Sequence, residues 1–295
     1  MSNTFVSDEE VQKLEEQARQ IRISIIKMLS ESARKTKSGH TAGPLGMADV
    51  FTALYFNLLE HDPKNPSWNM RDRVVLSNGH ICPVLYATMA HSGYFPVDEL
   101  MTLRQFGSRL QGHPHREYLP MLETSSGPLG SGLSQAVGMA IADRMDHGKV
   151  TPRFVYALLS DGEHDEGQIW EAGLLAGKEK LGNLIAIIDR NNIQIDGYTE
   201  DIMPLAPLYD KWKAFNWHVL EIDGHDMRAI IGAVREAQAV FDKPSMIIAH
   251  TIPGRGVSFM EKRFEWHGIP PGMSDVAGAP PKAEQESAAL AELGA

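Results

Sequence analysis

Cysteine is almost absent from this 295-residue sequence: Cys82 stands alone, so no disulfide can form within the chain. A reducing compartment is the matching expectation. Long apolar runs are missing too. No segment approaches the ~18 continuous apolar residues of a membrane helix. Apolar residues still make up 43% of the chain, ample for a substantial core. Residues 1–13 are polar and acidic and lack the basic start and apolar stretch of a signal peptide. Positive charge is in deficit, with 28 Lys and Arg against 38 Asp and Glu and a net charge of −10. That balance argues against a general nucleic-acid-binding surface. A local cluster of His, Arg and backbone N–H groups can still hold a phosphate in an acidic protein. Two nucleotide signatures fail: Gly177-Lys178 lacks the following Ser or Thr of a P-loop, and Gly130-Ser131-Gly132 lacks the third glycine of a dinucleotide motif. The expectation is a cytoplasmic protein with no nucleic-acid and no membrane partner.

What is present is alternating periodicity. Ser7 and Glu10 have capping-box spacing. Val11, Leu14, Ala18, Ile21, Ile25 and Met28 follow at steps of three and four, which predicts an amphipathic helix that ends near Lys37-Ser38-Gly39, where Gly39 can terminate it. A second helix is expected from about Met47 to Leu59, a strand over Arg73–Ser77, a long loop over Tyr118–Gly132 and a helix over Gln135–Asp146. The apolar runs Phe154–Leu159 and Leu184–Ile188, separated by a helical stretch Asp165–Lys180, read as a βαβ unit with both strands buried in a parallel sheet. Strands at His218–Ile222 and Ser245–Ala249 flank a helix from about Met227 to Phe241. The fold class expected is α/β, an open and mostly parallel sheet with helices on both faces. Residues 1–274 would form this domain. Residues 275–295, rich in Ala, Pro, Gly and Glu, would pack weakly or be disordered.

In such a sheet, ligands bind beyond the carboxyl ends of the strands. Two polar clusters fall there: Ser160-Asp161-Gly162-Glu163 and Asp189-Arg190-Asn191-Asn192-Ile193. If their strands are neighbours, Asp161 and Asn191 converge. One carboxylate, one amide oxygen and one backbone carbonyl would then supply a protein's share of an octahedral Mg²⁺ site. Either cluster alone reads as ordinary turn chemistry. Together, with 28 residues between Gly162 and Asn191, they resemble the diphosphate-binding signature of thiamine-diphosphate enzymes. The histidines sharpen the resemblance. Ser38-Gly39-His40, Asn78-Gly79-His80, Gly112-His113-Pro114, Gly127-Pro128-Leu129-Gly130 and Trp266-His267-Gly268 occur in series. In order and spacing the chain resembles the amino-terminal part of transketolase from roughly Glu10 to Gly272.

The resemblance implies thiamine diphosphate with Mg²⁺ or Ca²⁺ as cofactors. Asp161, the side chain of Asn191 and the carbonyl of Ile193 would bind the metal. Gly162, His80 and His267 would contact the diphosphate. Gly127, Leu129 and Ile195 would border the cofactor rings. His40, His80, His113 and His267 would line the substrate channel, hydrogen-bonding sugar hydroxyls and moving protons. Glu166 matches a family glutamate near the subunit interface, placed to link two active sites. The implied reaction moves a two-carbon ketol unit from a ketose phosphate to an aldose phosphate. A separate pyrimidine-binding subunit would complete the site, with two copies of each chain around a two-fold axis. Ser160, where the family usually has Gly, and His115, where Glu is usual, depart from the pattern. They put the donor and acceptor in question more than the cofactor.

Three alternatives stay open. One is another split thiamine enzyme, including one acting on an unusual sugar phosphate. A second is a non-catalytic cofactor-binding homologue. The third is a serine hydrolase, for which Gly132-Leu133-Ser134-Gln135-Ala136 falls one glycine short of a nucleophile elbow.

Overall fold

A strand whose two faces are both covered has no polar alternation, and the runs over residues 155–160 and 184–190 have none. The structure, a computed structural model, describes residues 6–148 and 151–295. Five strands form one sheet: β1 (Arg73–Leu76), β2 (Val155–Ser160), β3 (Leu184–Arg190), β6 (His218–Asp223) and β7 (Ser245–His250). Their order is β1-β2-β3-β7-β6 and every pairing is parallel. A short antiparallel hairpin, β4 (Ile193–Gln194) with β5 (Gly197–Tyr198), follows β3. Strands this short carry no detectable period, so the hairpin was not legible in the sequence.

Alternate residues of each central strand enter two separate cores. Tyr156, Leu158, Ile185, Ile187 and Ile247 face α1 (Asp8–Thr36), α3 (Ala48–Ala53), α4 (Cys82–His91) and α9 (Met227–Gln238). Val155, Ala157, Leu159, Ala186 and Ile248 face α5 (Ser131–His147), α6 (Gly167–Glu179) and α8 (Leu208–Ala214). Short helices α2 (Ala42–Gly46) and α7 (Thr199–Ile202) complete the connections. This is the expected open parallel α/β sheet.

Several local expectations are corrected. α1 ends at Thr36, next to the expected Lys37-Ser38-Gly39, but Lys37 rather than Gly39 terminates it: Lys37 takes the left-handed conformation at φ 55° and its N–H closes on the Ser32 carbonyl. The helix expected over residues 47–59 is α3 followed by a π turn, Leu54–Leu58. α5 starts four residues earlier than expected, because Gly130 turns the chain at φ 81°. The tail is ordered rather than weakly packed. Its helix α10 (Gln285–Glu292) lies against α1, with Gln285, Ala289 and Leu293 buried. The amide of Gln285 donates to the carbonyls of Ser274 (2.7 Å) and Pro280 (3.0 Å), and the Arg19 guanidinium donates to the Leu293 carbonyl (2.5 Å). Composition hid this because few apolar residues are needed when buried hydrogen bonds fix the segment.

Candidate active site

The carboxyl ends of β1, β2 and β3 meet in one cleft of about 300 Å³. Register explains the meeting. Ser160 pairs with Asp189, and the Asp161 N–H donates to the Asp189 carbonyl (3.1 Å), so the two polar clusters start side by side. Asp161 is wholly buried beneath the floor. Its carboxylate accepts from the backbone N–H groups of Gly162 (2.7 Å) and Asn192 (2.6 Å) and from the Arg190 guanidinium (3.2 Å). Asn191 donates its amide N–H to Asp189 (2.7 Å), while its side-chain oxygen accepts from the Ile193 N–H (3.0 Å). These two bonds assign the amide orientation. The Thr251 hydroxyl donates to the other Asp189 oxygen.

Glu163 ties two strand ends, those of β1 and β2, to the start of α5. It accepts from the Ser77 hydroxyl, from the Gly130 N–H (2.7 Å) and from the Ser160 N–H (2.9 Å). Burial pushes three carboxyl groups up. Asp161 rises to about 6 despite the opposing Arg190 charge and its N–H donors. Glu163 rises to about 7 against three hydrogen bonds. Asp189 also rises to about 7, with the charge of Asp161 adding to burial.

Four histidines converge on the cleft from separate elements. His40 follows α1, His80 sits in a single 3₁₀ turn after β1, His113 lies in the long loop before α5, and His267 follows the 3₁₀ turn Phe264–Trp266. Ring centroids lie 5.1 Å apart for His40 and His80, 5.0 Å for His80 and His267, 5.6 Å for His40 and His267, and 6.5 Å for His40 and His113. Gly79 permits this crowding: a Cβ there would meet Ser126 at 2.6 Å and the His113 ring at 3.2 Å. Burial lowers His40 to about 3, with the charges of His267, Arg104 and His113 adding to it. Burial lowers His267 to about 4 and puts His80 well below the usual value. His113, on the rim, is lowered by partial loss of water and by the Arg104 charge. All four are therefore neutral near pH 7, each able to donate from one ring nitrogen and accept at the other. The buried Nδ1 atoms of His40 and His267 have no partner among the described residues.

The structure thus brings together His40, His80, His113, His267, Gly127, Leu129, Gly162, Asn191, Ile193 and Ile195 in the cleft lining, with Asp161 directly below. It does not bring Glu166 there. Glu166 caps α6 on the exposed surface beside Gly130. Residues that the sequence did not single out complete the site: Ser77, Glu163, Asp189, Arg190 and Thr251. Glu163 and Asp189 lie inside the two polar clusters, where turn chemistry alone gives them no task. Thr251 carried no local signal, because its role follows from the β3–β7 pairing.

Residues 18–286 match the family described as transketolase, thiamine diphosphate binding domain. A 6-deoxy-6-sulfo-D-fructose transketolase subunit of Clostridium sp. (strain MSTE9) is 47% identical, over 87% of this chain and 90% of its own length. An apulose-4-phosphate transketolase subunit of Phocaeicola vulgatus is 44% identical, over 83% of this chain and 86% of its own length. Transketolase 2 of Escherichia coli is 42% identical over 84% of this chain, but over 38% of its own length. The solved transketolase of Campylobacter jejuni superposes with a TM-score of 0.84 at 34% identity, covering 96% of this chain and 43% of that one. This chain spans under half the length of these last two transketolases and most of the two subunits. It belongs to the transketolase family, in which it corresponds to the thiamine diphosphate-binding domain.

Proposed function

We propose that this chain is the diphosphate-binding subunit of a two-chain transketolase that moves a two-carbon ketol unit from a ketose phosphate to an aldose phosphate. A separate pyrimidine-binding subunit completes the site, in a cytoplasmic assembly with two copies of each chain. The names of two relatives as transketolase subunits support this division. One observation carries the chemistry: a wall of four neutral histidines stands over the paired ends of β2 and β3, where Asp161 and Asn191 lie.

Bound thiamine diphosphate would supply the electron sink for breaking and forming the C–C bond. The residues of this chain bind, orient and move protons around it. His80, His267 and Gly162, which line the cleft, would contact the diphosphate. Asp161, the Asn191 side-chain oxygen and the Ile193 carbonyl are hard oxygen donors that suit Mg²⁺ or Ca²⁺. The fit has a physical basis. Asp161 is fully buried and its proton affinity stays raised although Arg190 pairs with it, so a divalent cation would favour the ionised carboxylate that burial disfavours. Asp189 holds the Asn191 amide so that its oxygen keeps a lone pair for a ligand. Few protein donors are needed when phosphate and water supply the rest. His40 and His113, neutral and set apart from the metal residues, are placed to hydrogen-bond sugar hydroxyls and to exchange protons with them. Glu166, on the surface at the start of α6, would face the completed assembly.

The test is calorimetric titration of thiamine diphosphate and Mg²⁺ into this chain, without and with a pyrimidine-binding partner. Weak binding alone and tight binding with the partner is expected. Ketol transfer would then be assayed with ketose phosphates and with 6-deoxy-6-sulfofructose as donors. No binding in either state would defeat the proposal. In the assembled enzyme His113→Ala should lower turnover by about 10²-fold, the lower end for a lost acid–base group, with cofactor affinity retained.

A further inference from the structure

We propose that Arg104 is a positioning residue of the cleft, its guanidinium clamping the turn that carries His40 to the loop that carries His113. The assignment of catalysis to this cleft is the proposed function above; the clamp itself stands on geometry.

Arg104 adopts a left-handed backbone, φ 62°, which non-glycine residues take at a cost. Its N–H donates to the Leu110 carbonyl (2.9 Å), which holds that conformation and aims the side chain at the back of the histidine cluster. One guanidinium nitrogen donates to the Ser38 hydroxyl (2.9 Å), two residues before His40. The other donates to the Gly112 carbonyl (3.0 Å), one residue before His113. The guanidinium also lies against the Gly112 backbone, where a Cβ would sit 2.8 Å from Cζ. Both anchors are fixed in turn. The Ser32 hydroxyl of α1 donates to the Ser38 carbonyl (2.7 Å), and the Tyr86 hydroxyl of α4 donates to the Gln111 carbonyl (2.9 Å). Arg104 is therefore the bridge between two chain segments some 70 residues apart whose histidines stand 6.5 Å from each other. It lies behind the cleft lining rather than in it.

The clamp has an electrostatic consequence. Both acceptors are neutral, so the charge is not cancelled. After burial, it is among the causes that lower His40, His80 and His113. The other titratable groups facing the guanidinium are Cys82 and Tyr86 on α4, and both remain protonated at neutral pH. Arg104 thus ties the segments that carry His40 and His113, and its charge adds to the burial that disfavours protonation of His40, His80 and His113.

The experiment uses Arg104→Met, Arg104→Lys and Ser38→Ala, followed by NMR titration of the histidine ring protons in this chain and by turnover in the assembled enzyme. Arg104→Met should raise the His113 midpoint by roughly half a unit to one unit, the effect of one charge in a partly hydrated site. Turnover should fall by about 10-fold or more from lost alignment, with thiamine diphosphate affinity kept within about twofold. Its acid limb should shift upward, and Arg104→Lys or added guanidinium should restore part of the rate. An unmoved His113 midpoint overturns the clamp whether or not the chain is a transketolase. Wild-type turnover in Arg104→Met overturns it as well. Absence of ketol transfer in the unmodified enzyme would instead defeat the proposed function and leave the titration to decide the clamp. If Arg104→Met fails to fold, Ser38→Ala decides. It cuts one tie and should move the His40 titration and lower turnover a few-fold while His113 stays put. No change in His40 or in turnover overturns the proposal.

Discussion

Two glycines on one helix should respond in opposite directions to the same methyl group. In α5, Gly132 sits where a Cβ would lie 2.5 Å from Ser77 Cβ and 2.6 Å from Ser77 Cα, at the end of β1. Its N–H donates to the Ser77 hydroxyl (3.1 Å), which in turn donates to Glu163. Gly132→Ala therefore forces the start of α5 away from β1. Overpacking of this kind costs about 1–3 kcal/mol. Loss of the buried hydrogen bond adds about 1 kcal/mol. The expected destabilisation is about 2–4 kcal/mol. Gly138, in the middle of α5, is exposed and a Cβ there meets nothing within 4 Å. Gly138→Ala should stabilise by up to about 1 kcal/mol, the helix-propensity difference. At about 2–4 °C per kcal/mol for a chain of this size, the two melting temperatures should separate by roughly 10 °C. Thermal melts of the two variants, followed by circular dichroism, measure this. Gly132→Ala should also weaken cofactor binding, because Glu163 and the Gly127–Gly130 loop lose their anchor. If Gly132→Ala melts at or above Gly138→Ala, the close approach of α5 to β1 is wrong.

Stability should rise as pH rises from about 5 to about 6.5 in the ligand-free chain. Asp161, Glu163 and Asp189 hold protons up to about 6, 7 and 7 in the folded state, against 3.8, 4.5 and 3.8 ordinarily. Folding therefore takes up protons at these three carboxyls, but it releases more from the histidines: His40, His80, His164 and His267 are held below their ordinary value of 6.5 by burial and are protonated in the unfolded chain near pH 6. Urea midpoints at the two pH values decide it, and a midpoint that falls would contradict the burial of these histidines. The Cys82 thiol is buried and pushed up to about 12, so a thiol reagent should label it at neutral pH only after urea is added. Prompt labelling of the folded chain would contradict that burial. Leu293→Ala should cost about 2–3 kcal/mol by leaving a cavity between the tail and α1, read from the urea midpoint. An unchanged midpoint would mean that the tail contributes nothing.

The sequence by itself determined the sheet and its crossovers. Continuous apolar runs at residues 155–160 and 184–190 demand helices on both faces, and the two cores formed by alternate side chains are that demand fulfilled. It also singled out the two polar clusters after β2 and β3, since a strand followed by turn formers places them at the carboxyl edge. The histidines were visible beside glycines, and the family resemblance joined them to one pocket. What no local pattern held was the partnership between distant segments. Thr251 reaches Asp189 because β7 lies next to β3. Glu163 reaches Ser77 because β1 lies next to β2. Arg104 reaches Ser38 and Gly112 because a left-handed residue turns its side chain inward. The order of the tail was hidden for the same reason, since Gln285 finds its partners only once α10 lies on α1. Periodicity is a property of neighbours along the chain. Protonation state, amide orientation and the spacing of four imidazoles are set by groups that become neighbours only when the sheet closes its register, so the tertiary structure alone decided them.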